Sequence, residues 1–220
     1  MTGKSSPMTH QNKENKWVTE QESFWAGDFG KTYTERNSDT QLIKNNEVLF
    51  SKALKSAQAP QSIIEFGANV GFNLSALSRL YPQAEISAIE INQFAVEKLK
   101  QLKLTGQIYP QSILDFKPDH QRDLAFTKGV LIHINPEALP KVYDLLYQTS
   151  KKYILMAEYY NPAPVEIVYR GFTGRLFKRD FAGEFLDRFS DVSLIDYGFA
   201  YRRDPQFPQD DLTWFLFQKK

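Results

Sequence analysis

Apolar residues recur along this chain with two periods, and the alternation between them predicts the architecture. Short apolar runs bounded by polar turns mark buried strands at residues 63–66, 86–89, 107–109, 123–126 and 153–157. Between them the spacing lengthens to that of a helix. Val70, Leu74, Leu77 and Tyr81 follow the first run, residues 94–102 the second, and residues 136–150 the fourth. The last of these opens with Asn135 as N-cap and Pro136 at the first helical position, and Leu139, Val142, Tyr143 and Leu146 form one stripe. Upstream, residues 39–56 read as a helix with Leu42, Val48, Leu49 and Leu54 as core contacts, broken by Ala59-Pro60. Strand–helix alternation of this kind implies a parallel sheet with helices on both faces. Residues 192–199 and 212–217 break the pattern. They are two strands with no helix between them, and they are predicted to pair antiparallel. The expected fold class is therefore α/β, a doubly wound seven-stranded sheet, mostly parallel with an antiparallel C-terminal strand.

Composition narrows the picture by exclusion. The chain has 220 residues and no cysteine, which rules out disulfides, Cys-zinc sites and thiol catalysis. Its 27 basic and 26 acidic residues nearly cancel, so no strongly basic nucleic-acid-binding surface is expected. The three histidines, His10, His120 and His133, lack metal-ligand spacing, and no metal is expected. No apolar run approaches the ~20 residues needed to span a bilayer. Residues 1–16 are polar and read as a disordered tail without a signal peptide's apolar core. The expectation is a bacterial cytoplasmic enzyme with a small-molecule substrate. Its segments are a lid and helix at 17–58 and the main domain at 59–220, with an insertion at about 159–180.

The strongest motif is Glu65-Phe66-Gly67-Ala68-Asn69-Val70-Gly71, between the first strand and its helix. There the chain must turn sharply and let a ligand touch its backbone, and Gly67 and Gly71 lack the Cβ that would block it. The segment resembles the glycine-rich loop of methyltransferases, with Asn69 in place of the middle glycine. Asn tolerates a left-handed backbone, so the turn survives. Glu90 ends the second strand ~20 residues later, where nucleoside-binding sheets place an acidic group against the ribose hydroxyls. Its alternative is an exposed strand-end carboxylate. NAD uses the same geometry, but no third glycine completes its fingerprint, and the absence of Gly-Lys-Ser/Thr excludes a P-loop. Ser112 and Ile113 fall where the adenine ring is expected, Ile91 adjoins Glu90 as a further candidate cofactor contact, and Lys128 lies beneath the methionine end. A Rossmann-like sheet closed by an antiparallel pair is the usual shape of class I methyltransferases. The expected cofactor is thus S-adenosyl-L-methionine (SAM), with S-adenosyl-L-homocysteine (SAH) as product.

Longer strings carry a more specific resemblance. Residues 24–30 (FWAGDFG) with Tyr33, Arg36 and Asn37 are similar to the opening of the pseudaminic acid biosynthesis-associated methylase family. So are 127–135 (TKGVLIHIN), 157–162 (AEYYNP), 169–171 (YRG), 177–184 (FKRDFAGE), 196–199 (DYGF) and 210–215 (DDLTWF). The resemblance spans nearly everything after the tail. It implies a small SAM-dependent methyltransferase of bacterial nonulosonic acid and surface-glycan pathways, and leaves the acceptor open.

Methyl transfer needs an in-line acceptor and exclusion of water more than strong acid–base groups. His133 is the first candidate base, by its ordinary pKa of ~6.5, or else a histidine supporting the helix start at Asn135. Glu158 is the second, or else a buried carboxylate tied to Arg or backbone donors, and Tyr159 adjoins it. The connection 159–179 carries aromatics with Arg170, Arg175, Lys178 and Arg179, and no acid between Tyr169 and Arg179. It reads as an acceptor-binding lid using Tyr160 and these cations, or as an extra helical turn with solvated charges. Trp25 and Tyr33 read as a lid over SAM with Arg36 on its carboxylate, or as cover for a sheet edge. The combined reading is methyl transfer to a small anionic sugar or sugar-nucleotide. Other acceptors, such as amino groups, and a nucleotide-binding regulatory module without turnover stand as alternatives.

Overall fold

A computed structural model describes residues 17–36 and 39–220, so the tail reading at 1–16 and the match at Asn37 lie outside the described residues. The chain opens with two short helices, α1 (Glu20–Ala26) and α2 (Asp28–Arg36), then α3 (Gln41–Ala53). A regular alternation follows: β1 (Ser62–Phe66), α4 (Phe72–Leu80), β2 (Glu85–Ile89), α5 (Gln93–Gln101), β3 (Ile108–Tyr109), β4 (Arg122–Lys128), α6 (Leu139–Thr149) and β5 (Ser150–Glu158). A hairpin of β6 (Val165–Tyr169) and β7 (Phe172–Lys178) precedes α7 (Phe181–Arg188), β8 (Val192–Ala200) and β9 (Leu212–Lys219). Among the described residues no helix is long and apolar enough to cross a membrane.

The main sheet has seven strands in the order β3-β2-β1-β4-β5-β9-β8. β1 to β5 are parallel, and β9 runs antiparallel to both β5 and β8. This is the expected fold class. Alternation along β1 divides the core: Ile64 and Phe66 pack toward α6 and α7, while Ile63 packs toward α3 and α4 with Phe50 and Phe126. Strand order reverses between β1 and β4, so their connections leave to opposite sides. A crevice opens at their carboxyl ends, where ligands bind in sheets of this kind.

The 159–179 connection folds largely as a β-hairpin, which corrects the alternative of an extra helical turn. Tyr169 pairs with Phe172 across Arg170-Gly171, whose φ values are +50° and +86°. Positive φ at both central residues is the two-residue turn that matches strand twist. A two-stranded hairpin is marginal alone, and this one leans on α1. Gln21 Nε2 donates to Gly174 O (2.9 Å), Arg175 Nη2 lies 3.1 Å from Glu20, and Phe24 meets Phe172 edge-on at 5.1 Å.

β5 ends in Glu158, only 3% exposed, whose carboxylate accepts the Val130 N–H (3.0 Å) and the Ile132 N–H (3.5 Å). These bonds shape the turn after β4. Burial pushes the carboxyl up to about 7 despite the donors that favour its charged form. The folded chain therefore prefers it protonated. Its stabilising contribution is complete below ~4.5, the ordinary carboxylate range, and is lost as pH rises toward 7. Glu158→Gln should thus gain on the natural chain between pH 5 and 8, by up to about 3 kcal/mol. Urea midpoints at both pH values check this, and parallel changes in the two proteins would contradict it.

Candidate functional site

The loop after β1 turns on left-handed residues: Gly67 (φ +80°), Asn69 (φ +47°) and Gly71 (φ +80°). A Cβ on Gly67 would stand 2.8 Å from Val130 Cγ2, so glycine lets the turn after β4 close against the loop. Gly67 and Ala68 donate their N–H groups to Ile89 O at 2.9 and 3.0 Å. Glu90, 7% exposed, receives the Asn69 N–H on one oxygen (2.6 Å) and the Asn92 N–H on the other (2.7 Å). Its carboxylate therefore locks the loop to the end of β2.

Over this loop lies a cavity of about 520 Å³, roofed by α1 and α2. Gly67, Asn69, Glu90, Ile91, Ser112, Ile113 and Lys128 line its floor and far wall, and Trp25, Tyr33 and His133 its roof and near wall. The other ten sequence-predicted site residues lie elsewhere or behind it. Gly71 begins α4. Glu65 is fully buried beneath Asn73, whose Nδ2 donates to it at 2.5 Å, and burial pushes its carboxyl up to about 8. Arg36 ends α2, exposed and away from the cavity lining. Glu158 is occupied with backbone N–H groups outside the lining, which fits the buried-carboxylate alternative and corrects the candidate base.

Tyr159 and Tyr160 follow Glu158 and also miss the lining. The Tyr159 ring carries the Lys178 ammonium at 5.2 Å, and the exposed Tyr160 ring lies 6.1 Å from Phe215. The hairpin cations are less free than their sequence implied. Arg175 pairs with Glu20 (3.1 Å), Arg179 with Glu184 (2.6 Å), and the Arg170 guanidinium sits 5.7 Å over Tyr169. None of the four lines the cavity. Neutralisation of Arg175 and Arg179 comes from acids outside the 169–179 string.

The roof is held by bonds from distant residues. Asn92 Nδ2 donates to Trp25 O (2.9 Å), Thr34 Oγ1 to Asn69 Oδ1 (3.1 Å), and the Ser112 hydroxyl to Glu22. Trp25 meets Tyr33 edge-on at 5.3 Å and lies 4.6 Å from the His133 ring. His133 Nδ1 is 2.6 Å from Arg175 O. A carbonyl only accepts, so Nδ1 carries the proton and Nε2 keeps its lone pair. Burial pushes the ring down to about 4, which corrects the near-neutral pKa expected of it. Among the described residues, two buried groups in the lining lack a hydrogen-bond partner, Gln21 Oε1 and Trp25 Nε1.

Sequence reasoning missed Asn92, Thr34, Asn73, Gln21 and Glu22. Only two left a readable signal. Asn92 caps α5 through the N–H groups of Phe94 and Ala95, and Thr19-x-x-Glu22 is a capping box.

No protein-family model and no curated protein sequence matches the chain. Solved structures do resemble it. One is the 1,6-didemethyltoxoflavin-N1-methyltransferase of Burkholderia thailandensis, solved with SAH: TM-score 0.67, 11% identity, 90% of this chain and 88% of that one covered. A second is magnesium protoporphyrin IX methyltransferase from Synechocystis PCC 6803 with SAM bound: TM-score 0.66, 11% identity, 94% and 100% covered. A third is the plantazolicin methyltransferase BpumL with SAH: TM-score 0.60, 13% identity, 91% and 94% covered. The chain has the α/β Rossmann-like fold of class I SAM-dependent methyltransferases.

Proposed function

We propose that this chain is a SAM-dependent methyltransferase acting on a small molecule. The observation that carries the reading is the clamp of Glu90 on the left-handed loop, set on the floor of the cavity. Each Glu90 oxygen accepts one backbone N–H and keeps a lone pair for a ribose hydroxyl. Ile91 and Ile113 offer apolar faces to an adenine ring, and Gln21 Oε1 and Trp25 Nε1 offer an unused acceptor and donor. Charge favours SAM over NAD. Among the described lining residues are the acids Glu22, Asp39, Glu90 and Asp210 against the cations Lys128 and Arg202. Such a wall attracts a sulfonium and repels a pyrophosphate.

When bound, SAM supplies a methyl group on a positively charged sulfur. The chain's part is orientation and dryness, worth ~7–11 kcal/mol in favourable intramolecular cases. Trp25 and Tyr33 shut water out from above. His133 Nε2 accepts a hydrogen bond from the acceptor's O–H or N–H and aims its lone pair. With a pKa near 4 the ring is neutral at pH 7 and serves as a positioning acceptor more than as a strong base.

The acceptor is proposed to be a small anionic sugar or sugar-nucleotide of a nonulosonic acid or surface-glycan pathway. The 24–30, 127–135 and 177–184 strings support this by resemblance. Among the described residues Arg170 and Lys178 have no acidic partner, and they are the cations proposed to meet the acceptor's charge at the hairpin.

Two measurements test the reading. Glu90→Gln should bind SAH about tenfold or more weakly by calorimetry, as expected for loss of a charged hydrogen bond of about 1.5–3 kcal/mol. Unchanged affinity in the folded variant would sink the ribose assignment. For His133, turnover of the natural enzyme should show no limb near pH 6.5 between pH 5 and 8, and His133→Asn should lower kcat throughout that range. A limb near 6.5 that vanishes in the variant would restore His133 as a general base.

A further inference from the structure

One end of the cavity is closed by a buried pair of side-chain amides. Asn46 of α3 and Gln209 of the 201–211 connection both line it, at 3% and 8% exposure. Gln209 Nε2 donates to Asn46 Oδ1 (3.1 Å). Beside them Asn45 Nδ2 donates to Pro208 O (3.0 Å), and Asn45 Oδ1 accepts from Gln41 Nε2 (3.2 Å), so helix and connection are laced together. Among the described residues, Asn46 Nδ2 and Gln209 Oε1 have no hydrogen-bond partner, and neither atom is sealed off from the cavity. Two carboxamides joined by one N–H···O bond leave one amino donor and one carbonyl acceptor, whichever way round they face. Leaving both unmet away from water is unfavourable, so this wall suits a ligand group that meets both.

Sheet order places the wall. Thr213 of β9 pairs with Glu158, so the 201–211 connection stands at the carboxyl end of β5. Glu90 and Ser112 follow β2 and β3, and both β1 and β4 come between. The amide pair therefore lies across the cavity from the proposed nucleoside contacts, with the turn after β4 that carries His133 between the two. The buried part of this wall is neutral. Arg202 and Asp210, in the same connection, are exposed, and Arg202 lies 3.4 Å from Asp211. A carboxylate or phosphate seated here would oppose the free carbonyl, and an ammonium would oppose the free amino group. A hydroxyl satisfies both, because it accepts and donates at once.

We infer that Asn46 and Gln209 select the methyl acceptor by binding an uncharged hydroxyl other than the reacting group. The inference rests on the methyltransferase reading above and narrows its acceptor class. The acceptor must present one polar group to His133 Nε2 and a separate hydroxyl to the amide pair. A polyhydroxylated ring meets both demands, and an isolated amine meets only the first.

The test uses the chain loaded with SAH and two ring carboxylates, N-acetylneuraminate and cyclohexanecarboxylate, of which only the first carries hydroxyls. Calorimetry should show saturable binding of N-acetylneuraminate, tighter than cyclohexanecarboxylate by about tenfold or more. Asn46→Leu and Gln209→Met each keep the bulk of the wall and remove one amide. Both should lose most of that preference and hold SAH as tightly as the natural chain does. Retained SAH binding reports that a variant is folded, and Gln209→Met carries the test alone if Asn46→Leu does not fold. An unmoved preference in the folded variants overturns the inference, as does failure of the SAH-loaded natural chain to bind N-acetylneuraminate. Weaker SAH binding with the preference retained assigns the pair to the cofactor and overturns it too. If the natural chain does not bind SAH at all, the methyltransferase reading falls and takes the inference with it.

Discussion

One carboxylate joins the parts of this structure that face the cavity. Glu90 takes the N–H of Asn69 on one oxygen and that of Asn92 on the other. The first bond holds the left-handed turn of the loop, and the second fixes the residue that caps α5. Asn92 then reaches up to Trp25 O, so loop, helix start and roof share one support. Burial opposes charge on Glu90 and pushes its pKa up, and the backbone donors counter it. A charged acceptor with two short N–H bonds is among the stronger local constraints available to a fold.

From this joint the distribution of charge acquires a logic. The hairpin is rich in cations, yet two of them are paired with Glu20 and Glu184, and none enters the cavity. The described lining leans acidic, with Lys128 and Arg202 as its cations. Trp25 and Tyr33, in edge-on contact, form an aromatic roof over this lining.

The sheet was legible because its parallel strands are buried on both faces and read as unbroken apolar runs. The loop was legible too, since Gly67 and Gly71 answer a backbone demand that few residues meet. The hairpin was missed because four cations drew the eye to chemistry. Val165, Ile167 and Val168 before Arg170-Gly171 carried a strand-and-turn signal all the same. Roof contacts such as Ser112 with Glu22 lie 90 residues apart and leave no local trace. Partners of the hairpin cations were hidden for the same reason, and so was the burial that lowers His133 and raises Glu158. Near-neutral chemistry was read from residue type, whereas the surroundings decide it.

The central claim is that the clamp and its cavity form a SAM site. Calorimetric titration of the natural chain with SAM and, separately, with NAD tests it most directly. Saturable binding of SAM at one molecule per chain, with no heat from NAD at the same concentrations, is the predicted result. Saturable binding of NAD without binding of SAM would contradict the account.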